Sequence, residues 1–216
     1  MVGDGRAPRM RPATAQRRRQ ILEASFDVFA AKGYANGTLQ DIADRLGMTH
    51  AGILHHFGSK DQLLIEMLEH RDRLGVTGYI ERRDTGAAAV LRELVRTAAQ
   101  NAQQRGIVQA YAVFAAESVT DDHPGREFFE RRYRSLRQEV VVALRALCAE
   151  RGIDEPKTVD RAASSVLAAM DGLQVQWLLT PAEVDLAEAS EFAINAIVNA
   201  VLYPLPSAII DELDED

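Results

Sequence analysis

Residues 38–60 read TLQDIADRLGMTHAGILHHFGSK, two short helical patterns joined by a tight turn and preceded by a strongly basic stretch. The first pattern opens on Thr38 with Asp41 three residues later, a capping box that satisfies orphan N–H groups and starts a helix at a defined residue. Its buried side is expected to be Ile42, Ala43 and Leu46. Gly47 follows, able to take the left-handed conformation that ends one helix and turns the chain steeply into the next. Thr49 is placed to cap a second helix reaching to about Phe57, which buries Ile53 and Phe57 and leaves Thr49, His50, Ala51, Leu54 and His55 outward. Ser59 and Gln62 form another capping box, so a further helix begins at once. A short helix with small and polar residues at its exposed N-terminal end is what a DNA major groove admits, which makes double-stranded DNA the expected partner.

The remainder reads as helices alone, about nine in all, so the expected fold class is all-α. Residues 15–32 carry Leu22, Ser25, Phe26 and Phe29 at helical spacing and stop at Gly33. A fourth helix is expected over 59–74, with Leu63, Leu64, Met67 and Leu68 inward, and Gly75, Gly78 and Gly86 loosen a junction after it. Further helices are expected over 87–104 and 107–119. Asp121, Asp122 and His123 then break the pattern, and Pro124 suits the first turn of a helix that ends at Arg151 and Gly152. Two more cover 157–179 and 184–203. The resulting organisation is a basic arm over 1–14, a DNA-binding domain over 15–74, a helical ligand-binding and dimerisation domain over 75–204 and an acidic tail over 205–216.

A formal charge of −7 argues, taken whole, against a polyanionic partner, but the charge is unevenly placed. Residues 1–60 hold nine Lys/Arg against five Asp/Glu, and the rest hold sixteen against twenty-seven. Arg6, Arg9, Arg11, Arg17, Arg18 and Arg19 lie in or beside a Pro-containing arm that can follow phosphates or enter a minor groove. No apolar run is long enough to span a membrane, and nothing of the signal-peptide kind follows the basic N-terminus, so a cytoplasmic location is expected. The lone Cys148 reads as a small buried apolar side chain. No Gly-rich phosphate loop, GxSxG or HExxH occurs, and the sequence calls for neither an enzyme, a cofactor nor a metal; turn chemistry accounts for Asp121 to His123 better than metal ligation does.

Over residues 15–74 the chain resembles the TetR family of transcriptional regulators, without a gap. The resemblance implies a first helix supporting a helix-turn-helix, a fourth helix leading to a variable helical domain, and a homodimer that reads a palindromic operator. Carried over by position, Thr38 contacts a phosphate, Thr49, His50 and Ala51 read bases, and Lys60 contacts a phosphate. Leu54 stands where the family commonly has an aromatic residue, which points to apolar contact with a thymine methyl or sugar. Arg17, Arg18, Arg19 and His55 complete the expected DNA-binding set. For a small-molecule effector the candidates are Met67, Tyr111, Phe114, Phe128, Asp171, Gln174 and Trp177, aromatic, flexible or polar residues on otherwise apolar faces.

Symmetric operators are read by symmetric dimers. Val166, Met170 and Leu173 on one C-terminal helix, and Ile194, Ile197, Val198, Val201 and Leu202 on the other, recur at i, i+3, i+4 spacing and are the expected interface. The function so derived is a ligand-responsive DNA-binding regulator, a repressor released by a small, largely apolar effector. The alternative is a helical interaction or small-molecule-binding module with a degenerate DNA head. A sequence-specific, salt-dependent DNA shift separates the two.

Overall fold

A computed structural model of the chain describes residues 12–82, 86–153 and 156–204. Among them the elements are all helical: α1 (Pro12–Asn36), α2 (Leu39–Leu46), α3 (His50–Phe57), α4 (Lys60–Arg82), α5 (Ala89–Asn101), α6 (Arg105–Glu117), α7 (Arg126–Glu150), α8 (Pro156–Leu179) and α9 (Leu186–Leu202). The expected Arg6, Arg9 and Arg11 and the acidic tail lie outside the described residues.

The chain divides into two compact units, one of Met1–Thr77 with Val113–Phe128 and one of Gly78–Ala112 with Phe129–Asp216. The first unit buries Ile21, Leu22, Phe26 and Phe29 of α1, Ile42 and Ala43 of α2, Ile53 and Phe57 of α3, and Leu63, Leu64, Met67 and Leu68 of α4. Phe114 of α6 joins them, its ring edge-on to Phe26 at 6.4 Å. The linear reading places residues 113–128 in the second domain, whereas their contacts put them in the first. Helix α4 also runs to Arg82 through Gly75 and Gly78, beyond the expected end at 74. A glycine inside a helix costs only about 1 kcal/mol against alanine, so it permits an end without imposing one.

The second unit packs α5, α7, α8 and α9 around Leu91, Val140, Leu144, Leu147, Val159, Val166, Met170, Ile194 and Val201. Cys148 is part of this core, as its apolar neighbours in sequence suggest, and burial pushes its thiol up. Five of the eight residues expected at a dimer face are covered within the protomer, and the other three are partly so. Val166, Met170, Ile194, Val201 and Leu202 are buried within the protomer, Ile197 and Val198 pack partly against the same core, and Leu173 packs beside Trp177. A stripe at i, i+3, i+4 identifies the side of a helix that is covered but not what covers it. The large apolar residues left outward on α8 and α9 are Val175, Leu179 and Phe192, the last two 76% exposed.

The joint between α2 and α3 follows the sequence closely. The Thr38 hydroxyl accepts from the Asp41 N–H, and the Asp41 carboxylate accepts from the Thr38 N–H. Gly47 sits at φ 61°, ψ 37°, with Met48 N–H closing back to the Ala43 carbonyl at 2.9 Å. A Cβ at Gly47 would meet nothing within 4 Å, so the backbone conformation alone demands glycine here. Gly47→Ala is expected to destabilise the protein by about 1–2 kcal/mol, the cost of a left-handed L-residue. Gly106→Ala, equally free of neighbours but in the first turn of α6, should be neutral or gain up to about 1 kcal/mol. Urea midpoints of both variants measure the contrast, and equal effects would contradict it.

Candidate nucleic-acid interface

Helix α3 has eight residues, and everything about its surroundings fixes its ends and one side while leaving the other side open. Ile53 and Phe57 are buried one turn apart; Ala51 and His55 lie away from that side and Thr49 and His50 at the N-terminal end, all exposed, with Leu54 half-buried beside them. At the N-terminal end the Thr49 hydroxyl accepts from the Gly52 N–H at 3.1 Å. That leaves the hydroxyl proton of Thr49 able to donate to a DNA acceptor while the oxygen serves as the cap. Exposed N–H groups and the positive end of the helix dipole lie at this same end, which favours anions.

At the opposite end, Arg18 of α1 donates to the His56 carbonyl and to the Glu66 carboxylate of α4, and its guanidinium lies 4.2 Å from the centre of the Phe57 ring. The three consecutive arginines therefore divide. Arg17 and Arg19 are exposed, while Arg18, expected with them to contact DNA, is half-buried and turned toward α3 and α4. Burial, His55, Arg18 and Arg17 together lower the pKa of the neighbouring His56, in that order of effect.

Lys60 is likewise engaged within the protein rather than presented outward. Its Nζ donates to the Tyr34 carbonyl at 2.6 Å and lies 4.4 Å from the Tyr34 ring. Partial burial lowers its pKa, opposed by Asp61 and Glu117. Thr38 stays exposed, but its hydroxyl donates to the Asp41 carboxylate at 2.8 Å, so its donor is consumed by the cap. The Asp41 carboxylate also receives Lys32 at 2.7 Å, and these hydrogen bonds, Lys32 first, hold its pKa down to about 2. Lys60 and Thr38, both expected to contact phosphates, thus make contacts within the protein that close the ends of α1 and α2.

Tyr34 is the residue the sequence gives no reason to single out. Gly33 kinks α1 at φ 73°, ψ 169°, and Tyr34 beyond the kink gathers, besides the Phe29 ring, four partners distant in sequence. Its carbonyl takes Lys60, its N–H donates to Glu117 of α6 at 2.9 Å, its hydroxyl donates to Asp61 and its ring meets His123 at 5.2 Å. His123 Nδ1 in turn accepts from the Gly125 N–H and lies 3.1 Å from the Ser118 hydroxyl, while Asp121 pairs with Arg126. Capping and turn chemistry account for these residues, and α7 begins at Arg126, two residues after Pro124. A motif scan cannot find Tyr34, because its partners lie up to 89 residues away.

The candidate effector residues also divide. Met67, Phe114 and Phe128 are buried in the first unit. Tyr111, Asp171, Gln174 and Trp177 belong to the second, where the Tyr133 hydroxyl donates to Asp171 at 2.8 Å and the Arg132 guanidinium lies 5.2 Å from the Tyr111 ring. Trp177 is buried against Val108 and Leu186, with the Arg105 guanidinium 5.7 Å from its ring. Gln174 is half-buried.

A capped, exposed-ended recognition helix on a buried three-helix support defines a helix-turn-helix DNA-binding protein. The family model described as bacterial regulatory proteins, tetR family, matches residues 21–67, and that described as BetI-type transcriptional repressor, C-terminal, matches residues 86–201. The chain belongs to the TetR family of transcriptional regulators. It is 31% identical over 202 residues to the HTH-type transcriptional regulator BetI of Rhizobium meliloti, covering 88% of this chain and 95% of that one. With the BetI regulator of Agrobacterium fabrum it shares 30% identity over 178 residues, 80% of this chain and 82% of that one. A transcriptional regulator from Saccharomonospora viridis, solved in complex with choline, has the same fold with a TM-score of 0.70 at 24% identity, over 85% of this chain and 96% of that one.

Proposed function

We propose that this protein is a repressor that binds a palindromic operator as a homodimer and is released by a small, largely apolar effector. The observation that carries the reading is the open N-terminal end of α3, where Thr49, His50 and Ala51 are exposed while the rest of the helix is anchored. His50 and Thr49 read base edges, Ala51 and Leu54 offer apolar contact to a thymine methyl, and Arg17 and Arg19 neutralise phosphates. Base contacts discriminate between sequences by about 1–3 kcal/mol each, whereas phosphate contacts do not. His50→Ala is therefore expected to weaken binding to a duplex selected from a random pool by the unaltered protein, with little change on a scrambled duplex. Arg17→Ala should weaken both alike. Equal losses on both duplexes for His50→Ala would remove it from the base-reading set, and failure of the unaltered protein to select any sequence would sink the reading itself.

Dimerisation is assigned to the outward apolar residues of α8 and α9. Phe192 and Leu179 are largely exposed in the protomer, so a partner copy would remove them from water. Phe192→Asp is expected to give a folded monomer, because the side chain carries none of the protomer core, whereas Val201→Asp buries an unpaired charge and should unfold the chain. Sedimentation with circular dichroism separates the two results. A Phe192→Asp variant that remains a dimer would move the interface elsewhere.

The effector acts by favouring one arrangement of the two heads over another, since a ligand with equal affinity for both shifts nothing. Helices α4 and α6 both run from one unit into the other, so each supplies a covalent route for that shift. Trp177 provides a reporter, as the chain has one tryptophan and it is buried in the second unit against Val108 and Leu186. Small hydrophobic compounds that quench Trp177 fluorescence are expected to lower affinity for the selected duplex. Quenching without loss of DNA affinity, together with release by compounds that leave the signal untouched, would place the effector site elsewhere.

A further inference from the structure

Three consecutive arginines precede the helix-turn-helix, and the middle one does something its neighbours do not. Arg18 reaches the C-terminal end of α3 from α1 and joins it to α4: one nitrogen donates to the His56 carbonyl, the other to Glu66, and the guanidinium plane packs over Phe57. The last four carbonyls of an α-helix have no partner within the helix. In α3 the Leu54 carbonyl takes the Gly58 N–H at 2.7 Å, the Phe57 carbonyl takes the Ser59 N–H at 2.9 Å, and the His56 carbonyl takes Arg18. A cation at this point also complements the negative end of the helix dipole. Glu66, a half-buried carboxylate on α4, completes the pair and also receives the Gln62 amide at 3.4 Å.

Helix α3 is about 12 Å long at 1.5 Å per residue, too short to be stable alone, so its direction is set by what holds its two ends and its buried side. Thr49 closes the end that faces outward, and Arg18 holds the other. A rigid rod held at its far end swings at its near end when that hold is lost, and the near end carries Thr49, His50 and Ala51. Hydrogen bonds to base edges tolerate little displacement, whereas attraction to phosphates is tolerant of it.

We propose that Arg18 is a positioning residue for sequence discrimination: it acts on DNA through the angle of the recognition helix and contributes no phosphate contact of its own. The role is specific to arginine. A planar fork donates in two directions while its face packs on a ring, and a lysine ammonium cannot do all three. The inference rests on the reading of α3 as the base-reading element.

The test compares Arg18→Lys, Arg18→Gln, Glu66→Gln and Arg17→Gln on the duplex that the unaltered protein selects from a random-sequence pool and on a scrambled duplex of the same composition. Both Arg18 variants are expected to lose about tenfold on the selected duplex, to lose much less on the scrambled one, and to keep the slope of log affinity against log salt. Arg17→Gln should lose on both and reduce that slope by about one. Glu66→Gln should lose discrimination in the same direction, and the double variant Arg18→Gln, Glu66→Gln should be no worse than Arg18→Gln alone, because both act on one anchor. If Arg18→Gln does not fold, Arg18→Lys decides, since it keeps the charge and removes the fork. Equal losses on both duplexes with a reduced salt slope would make Arg18 a phosphate contact and overturn the inference, as would unchanged discrimination in a folded Arg18→Lys. Failure of the unaltered protein to select any sequence would instead defeat the reading on which the inference rests.

Discussion

An eight-residue helix cannot keep its shape or its direction in water by its own hydrogen bonds, and the second helix of this protein's helix-turn-helix is that short. Much of the first unit serves to hold it. Ile53 and Phe57 fix its roll by sinking one side into a core built from α1, α2 and α4. Gly47 sets the angle at which it leaves α2, because only glycine enters that left-handed turn without strain. Thr49 and Arg18 close its two ends. What remains open is a short exposed stretch at its N-terminal end, and its placement is inherited from residues elsewhere in the unit.

The second constraint gathers at the end of α1. Gly33 breaks the helix direction, and Tyr34 then offers its carbonyl, N–H, hydroxyl and ring to Lys60, Glu117, Asp61 and His123 in turn. The last turn of α6 and the loop after it are thereby part of the same compact unit as the helix-turn-helix. Gly33 is demanded there by its backbone, at φ 73°, while a Cβ would meet only the movable end of the Glu117 side chain. The head is consequently not a contiguous stretch of chain, and a cut after residue 77 would strip Tyr34 of Glu117 and His123.

Charge near the DNA-facing side is sorted by geometry rather than by composition. Lys32 and Arg45 pair with Asp41 and Asp27 on the surface, interactions of small energetic weight, and Lys60 and Arg18 are committed to carbonyls and rings. Arg17 and Arg19 keep their exposure. Counting basic residues thus finds where positive charge gathers along the chain but not which of it is left exposed. The second unit shows the same sorting of apolar groups: α8 and α9 each bury one side within the protomer and leave Val175, Leu179 and Phe192 outward.

By itself the sequence determined the features whose physics is local. The caps at Thr38, Thr49 and Ser59, the left-handed Gly47 and the burial of Ile53 and Phe57 rest on groups a few residues apart, so spacing alone specifies them. It also determined the all-helical class, through a hydrophobic period sustained over long stretches. Only the tertiary structure decided which of Arg17, Arg18 and Arg19 turns inward, where Lys60 points, that Tyr34 is a junction and that Val201 faces the protomer core while Phe192 does not. The reason is common to all four. Arg18 and Glu66 are 48 residues apart and Tyr34 and Glu117 are 83 apart, and a periodic pattern records that a side is covered without recording which distant segment covers it.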